Sequence, residues 1–252
     1  MNKLPQITLA FWVMKICATT LGETAGDLMS MTLNVGYAMS SLILISLFLM
    51  SLIGQLRARS YHPALYWTVI LTTSTAGTTM SDFMDRTLGL GYATGSAILI
   101  AILVTTMVVW KLSEGSLAVD SIRSRRGELF YWSAILFSNT LGTALGDYLA
   151  DDSGLGFMGG ALVIGSLLAV IVLAKFYTRI STVLLFWLAF VLTRPFGATV
   201  GDVLTKSHEQ GGLDFGTVGS SAILAAILVG LVMLASWSMA SRPAGSLESG
   251  AK

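Results

Sequence analysis

The sequence predicts an all-α integral membrane protein with eight transmembrane helices, built from four parallel two-helix repeats in 2+2 halves. Three observations predict it. Of the 252 residues, 54% are hydrophobic and only 12% charged, where a soluble domain carries about 25% charged residues, and the mean hydropathy is +0.75. Long apolar segments alternate with short polar ones, each long enough at about 20 residues to cross a hydrocarbon core of about 30 Å. One motif also recurs four times: Gly22-Glu23-Thr24-Ala25-Gly26-Asp27, Gly77-Thr78-Thr79-Met80-Ser81-Asp82, Gly142-Thr143-Ala144-Leu145-Gly146-Asp147 and Gly197-Ala198-Thr199-Val200-Gly201-Asp202.

The spans read in order as 6–28, 36–56, 63–84, 91–111, 128–149, 157–176, 181–203 and 217–239. The first carries Trp12 and, fifteen residues later, Asp27. The third, fifth and seventh repeat that spacing with Trp67 and Asp82, Trp132 and Asp147, and Trp187 and Asp202. The even spans open on a second signature, Gly36-Tyr37, Gly91-Tyr92, Gly156-Phe157 and Gly216-Thr217. Small residues such as Ser40-Ser41, Gly95-Ser96 and Ser220-Ser221 follow it. Each unit contains two spans, which preserves orientation, so the units are parallel repeats. From Asp to Asp the intervals are 55, 65 and 55 residues. The longer middle interval divides the chain into a half at 1–112, a basic loop at 113–126 and a second half at 127–240, with a flexible tail at 241–252.

Loops after even spans hold eight cations (Arg57, Arg59, Lys111, Arg123, Arg125, Arg126, Lys175 and Arg179), against Arg86 and Lys206 after odd spans. The positive-inside rule therefore predicts a multi-pass protein of the inner (plasma) membrane with both termini and the 113–126 loop in the cytoplasm. No cleavable signal peptide is expected. Cys17, the single cysteine, excludes an intrachain disulfide and a thiolate cluster. His62 and His208 fall in loops on opposite sides.

A helix rises 1.5 Å per residue, so each aspartate lies about 22 Å from its tryptophan. Tryptophans in an inner interfacial belt then place Asp27, Asp82, Asp147 and Asp202 in the outer part of the hydrocarbon slab, where a carboxylate needs a reason. Helix capping is one reason. Polar residues nevertheless continue inward on the same helices: Thr20, Glu23 and Thr24 before Asp27, Thr75, Thr78 and Thr79 before Asp82, and Asn139, Thr140 and Thr143 before Asp147. A cap needs no such ladder, whereas a hydrated path or an ion cage does. The small residues four apart, Gly22/Gly26, Gly77/Ser81, Gly142/Gly146 and Gly197/Gly201, read as a helix-packing stripe. Arg194 stands where the other units have Thr19, Ser74 and Asn139. With Pro195 beside it, it predicts a buried cation at a break in the seventh helix, either a counter-ion to Asp202 or Glu23 or a cation displaced by substrate. Lys15 either snorkels to the inner interface or pairs with a carboxylate in a proton path. The twelve methionines read as core filler.

An all-oxygen site made of Asp27, Asp82, Asp147, Asp202 and Glu23 suits a hard divalent cation, with Mn²⁺ favoured and Ca²⁺ or Mg²⁺ alternatives. Crowded carboxylates hold protons that a cation releases, which is the basis of a cation/proton antiporter. Glu23-Thr24-Ala25-Gly26-Asp27 distantly resembles the paired Glu-x-Gly-Asp-[Lys/Arg]-[Thr/Ser] segments of calcium/manganese–proton exchangers. It has one extra residue before Gly26, and Leu28 replaces the basic residue. The whole chain resembles a bacterial inner-membrane family with repeated Thr-x-Gly-[Glu/Thr]-x-x-Gly-Asp segments, a likeness that brings no activity with it. The alternatives are a structural or accessory membrane protein whose aspartates hold helices together, and an intramembrane aspartyl protease. Against the protease, Ala144-Leu145-Gly146-Asp147 lacks the first glycine of Gly-x-Gly-Asp. No enzyme activity and no cofactor are expected. The expected partners are the lipid bilayer, a divalent cation and protons, with a homo-oligomer open and no nucleic acid.

Overall fold

The computed structural model describes residues 3–240, so the tail expected at 241–252 lies outside the described residues. The described chain is all-α: α1 (Leu9–Asp27), α2 (Tyr37–Arg57), α3 (Pro63–Asp82), α4 (Tyr92–Glu114), α5 (Arg125–Asp147), α6 (Gly156–Tyr177), α7 (Thr182–Thr205) and α8 (Gly216–Ala240). Five of these eight, α2, α4, α6, α7 and α8, are long and apolar enough to cross a membrane. The remaining three, α1, α3 and α5, carry the hydroxyl and carboxylate ladder, which lowers their apolarity.

The odd helices pack side by side in a closed ring, α1 to α3 to α5 to α7 and back to α1. Each even helix lies outside the ring on the odd helix of the following unit: α2 on α3, α4 on α5, α6 on α7 and α8 on α1. The last helix therefore completes the first unit's surroundings, and the four repeats form a pseudo-fourfold bundle. Leu42, Val104, Leu162 and Ile223 on the even helices point outward, as an apolar surround would require.

The motif glycines mark where ring backbones meet. A Cβ placed on Gly22 would collide with Ser74 Oγ, on Gly77 would stand 2.9 Å from the Asn139 carbonyl carbon, on Gly142 would collide with Arg194 Cγ and on Gly197 with Thr19 Oγ1. These four partners occupy one repeat position, so each helix offers its first glycine to the equivalent residue of its neighbour. The second small residue repeats the pattern one turn outward: Gly26 receives Thr78, Gly146 receives Ala198, and Gly201 receives Glu23. Close approach of this kind brings the helix backbones into direct van der Waals contact.

Each of Asp27, Asp82 and Asp147 is followed by one π-helical turn, Leu28–Thr32, Phe83–Thr87 and Tyr148–Asp152, whereas α7 runs on to Thr205. The chain then turns back through two left-handed residues one apart: Asn34 and Gly36, Gly89 and Gly91, Gly154 and Gly156, Asp214 and Gly216, with φ between 53° and 79°. Glycine tolerates that conformation, and Asn and Asp tolerate it better than other side chains. The glycine that opens every even helix is thus a backbone requirement.

The break expected at Pro195 is not present, since α7 is continuous from Thr182 to Thr205. Proline removes one backbone donor, but the turns on either side are held by packing on α1, α5 and α6. Thr199 Oγ1 also bonds the Pro195 and Phe196 carbonyls at 3.0 and 3.1 Å.

Candidate functional site

Side chains from the four ring helices meet along the bundle axis in layers one turn apart. The outermost layer is Asp27, Asp82, Asp147 and Asp202, each 2–4% exposed. Two cations join them in pairs. Lys206 Nζ lies 3.1 Å from Asp27 Oδ2 and 3.2 Å from Asp202 Oδ1. Arg86 places Nε 2.9 Å from Asp82 Oδ1 and Nη2 3.2 Å from Asp147 Oδ2. Both cations follow an aspartate by four residues, and the equivalent positions in the other two units are Met31 and Asp151. The fourfold ring thereby becomes two alternating pairs, each cation reaching its own unit's carboxylate and that of the next unit. Burial alone would weaken the charge on Lys206. Asp202 and Asp27 more than reverse this and raise its pKa above the ordinary lysine value, as Asp82 and Asp147 do for Arg86.

One turn inward the equivalent positions hold Glu23, Thr78, Thr143 and Ala198. Arg194, fully buried, reaches this layer from α7 and touches all three other ring helices. Its Nη1 and Nη2 both stand 3.0 Å from Glu23 Oε2, and Nη2 also donates to Thr78 Oγ1 at 2.6 Å and Thr143 Oγ1 at 2.8 Å. Gly142 makes room for its stem. Of the two counter-ions considered for Arg194, Glu23 is therefore the one it meets. Asp202 is served by Lys206. A carboxylate oxygen from each of Glu23, Asp27 and Asp202 lies within 4.8 Å of the other two, all buried, so the acidic layers merge on the α1–α7 side.

The hydroxyl ladder divides in two. Thr78 and Thr143 face the axis and also donate to Glu23 Oε2 at 3.2 and 3.1 Å. Thr24, Thr75, Thr79 and Thr140 return their hydroxyls to carbonyls of their own helices. A threonine in an apolar helix readily satisfies itself this way. Asn139 Nδ2 bonds Thr73 Oγ1 at 2.7 Å, away from the carboxylates, and Thr20 is buried beside the Gly197–Gly201 contact. A continuous polar file along every helix is not what forms.

Two further expectations are corrected inward of Arg194. Lys15 does not snorkel: it is fully buried, its Nζ has no hydrogen-bond partner, and it sits 3.9 Å from the Phe190 ring centroid. It faces the ring interior, where its equivalents are Ile70, Ile135 and Phe190, so its stem cannot run outward along lipid. Nor do the tryptophans form a common interfacial belt: Trp12 is half-buried and the other three are inside. Trp67, Trp132 and Trp187 are 1–3% exposed and stack edge-on with the preceding Tyr66, Tyr131 and Phe186 at 5.2–5.3 Å. The hydroxyls of Tyr66 and Tyr131, on the neighbouring helices α3 and α5, meet at 2.7 Å. Aromatic burial, worth more than an interfacial position when a neighbour's ring is available, draws the indoles inside. The layer Phe11, Tyr66, Tyr131 and Phe186 closes the axis at this end.

Reading the sequence missed Arg86 and Lys206 as members of the acidic layer. Their spacing of four from an aspartate was the available signal. It also missed Lys3, whose Nζ lies 2.9 Å from the buried Glu128, a pairing 125 residues apart that no local pattern announces.

A family profile described as a Repeat of Unknown Function (DUF347) matches residues 10–61, 65–116, 130–181 and 185–241. Each matched segment contains one odd helix and the even helix that follows it. No curated protein and no solved structure matches the chain.

Proposed function

Because this chain belongs to the family described as Repeat of Unknown Function (DUF347), whose description assigns no activity, we propose from the site that it is an eight-span membrane transporter of a hard divalent cation coupled to protons. Mn²⁺ is favoured, with Ca²⁺ or Mg²⁺ as alternatives. The observation that carries this reading is the buried cluster of Glu23, Asp27 and Asp202, whose carboxylate oxygens lie within 4.8 Å of one another. These three carboxylates are met by threonine hydroxyls, the Lys206 ammonium and the Arg194 guanidinium, and no histidine or thiolate lies among them. Such a donor set favours hard cations over Zn²⁺ or Cu⁺. Five axial carboxylates (the four aspartates and Glu23) face Arg86, Lys206 and Arg194 in the same layers. Carboxylates exceed cations there, and protons or a substrate ion supply the balance.

In this reading Lys206 is the resident cation of the site. A divalent ion enters between Asp27 and Asp202 as the ammonium swings away, and protons reload the carboxylates after it leaves. Arg86, a planar fork clamped on Asp82 and Asp147, holds the opposite side of the ring. The bulk of positive charge in loops after even helices favours an inner (plasma) membrane orientation with those loops and the termini in the cytoplasm. The aromatic layer of Phe11, Tyr66, Tyr131 and Phe186 then lies on the cytoplasmic side and closes it.

A second reading has an observation of its own. Every axial aspartate already touches a resident cation, as in a protein whose ion pairs serve only to hold helices together. Reconstitution separates the two. Purified protein in liposomes, with Mn²⁺, Ca²⁺ and Mg²⁺ supplied in turn and an internal pH dye, should show cation uptake with opposite proton flow. Asp27→Asn and Asp202→Asn should abolish uptake while leaving a monodisperse folded protein. If none of the ions moves and no proton flow appears, transport of a hard cation is wrong.

A further inference from the structure

Inward of Glu23 the axis carries positive charge without a matching carboxylate. Lys15 is fully buried and its Nζ has no hydrogen-bond partner. Phe190 lies one turn before Arg194 on α7, so the Lys15 amine sits beside a second buried cation. Arg194 commits its Nη atoms to Glu23, Thr78 and Thr143, but its Nε is buried and unpartnered. Arg194 is paired with Glu23, and Lys15 forms no ion pair among the described residues.

A buried ammonium without a partner is costly, and an aromatic face such as Phe190 offsets only part of that cost. A species that completes this environment must accept hydrogen bonds from an ammonium and a guanidinium Nε–H, and must bring negative charge. A metal cation fails on sign. Water accepts the bonds but brings no charge, and the ammonium would then be relieved only by losing its proton. An organic acid fails on size, because the Lys15 layer is filled by the fully buried Ile70, Ile135 and Phe190.

We propose that Lys15 and Arg194 frame a buried site for a small monovalent anion of the chloride size class, on the bundle axis between the aromatic layer and Glu23. The site is independent of the cation reading, because it lies on the other side of the Arg194–Glu23 pair and needs no transport. A bound anion would fix Lys15 over Phe190 and leave Arg194 free to hold Glu23.

The test is thermal unfolding of the purified full chain in detergent at matched ionic strength in chloride, bromide or gluconate. Ligand linkage predicts a midpoint about 3 °C or more higher in the halides than in gluconate. Lys15→Arg should keep that difference and Lys15→Met should lose it. Equal midpoints in chloride and gluconate overturn the proposal, and so does a halide effect that survives in Lys15→Met. Should Lys15→Met fail to fold, crystals of the unaltered protein grown in bromide decide. An anomalous peak in contact with Lys15 Nζ supports the site, and no peak there overturns it.

Discussion

Lys206 Nζ stands 3.1 Å from Asp27 Oδ2, so a cation of the fourth unit closes on the carboxylate of the first. With the 3.2 Å contact to Asp202, this single ammonium ties the end of the chain to its beginning and completes the ring. Arg86 does the same for Asp82 and Asp147 on the opposite side. The two bridges differ in chemistry: a guanidinium fork is preorganised for two carboxylates, while a lysine is a point charge on a flexible stem.

Replacing Lys206 with Met should therefore separate stability from binding. Asp27 and Asp202 lose their cation, and removing one partner of a buried pair costs about 3–5 kcal/mol at full burial. Lys206 is partly exposed, with its side chain at 18%, so a loss of about 1–2 kcal/mol is expected. If Lys206 occupies the place of the substrate ion, added Mn²⁺ restores the unfolding midpoint of Lys206→Met by more than it raises that of the unaltered protein. Thermal unfolding with and without Mn²⁺ reads both effects. An equal response of the two proteins would count against a shared site.

Arg194 and Glu23 should behave as a unit. Arg194→Met leaves Glu23 buried without its cation and should destabilise by about 3–5 kcal/mol. Glu23→Gln leaves Arg194 equally stranded. The double variant Glu23→Gln/Arg194→Met removes both charges and should recover a large part of the sum of the single losses. Chemical unfolding of the four proteins gives the coupling energy directly. Additive losses would mean that the 3.0 Å contacts contribute little.

Much of this arrangement was legible in the chain. The fourfold motif, the two-helix period and the small-residue stripe are local patterns, and an all-α fold with four equivalent motif helices follows from them. The glycines opening the even helices were visible too. Their partners two residues earlier, Asn34, Gly89, Gly154 and Asp214, were equally periodic and needed only the recognition that Asn, Asp and Gly share a tolerance for left-handed backbone. The ring closure was not legible. Which aspartate Lys206 or Arg86 joins depends on which helices become neighbours, a relation across 179 residues for Lys206 and Asp27. The tryptophans illustrate the same limit: a period of fifteen residues to the aspartate fixes their depth, but the face they turn to is set by the neighbouring helix's rings.

Gly142 is the position where packing and the site meet. A Cβ there would collide with Arg194 Cγ and fall 3.0 Å from the Arg194 backbone carbonyl carbon, so the α5–α7 approach would have to widen. Gly142→Ala should cost about 1–3 kcal/mol. Gly219→Ala is the control: nothing lies within 4 Å of its added Cβ, and α8 should gain up to about 1 kcal/mol from the better helix former. Unfolding midpoints of the two variants should move in opposite directions.

Asp85, just beyond the end of α3, supplies a pH dependence. Its side chain is buried against Gly95; Ser81 Oγ donates to Oδ2 at 3.3 Å, and Oδ1 has no partner. Burial raises its pKa from 3.8 to about 6, against the smaller opposing effects of Ser81 and Arg86. The folded protein therefore binds this proton more tightly than the unfolded chain does. The stabilisation is fully present below pH about 4 and is lost as pH rises through about 6, after which it is flat. Asp85→Asn keeps the shape and removes the titration. The difference in unfolding midpoint, unaltered protein minus Asp85→Asn, should fall between pH 4 and pH 6.5 and then level off. The other carboxylates contribute to both proteins and cancel in that difference. A difference that is constant across the range would show that Asp85 is solvated in the folded state, with its carboxyl turned away from Gly95.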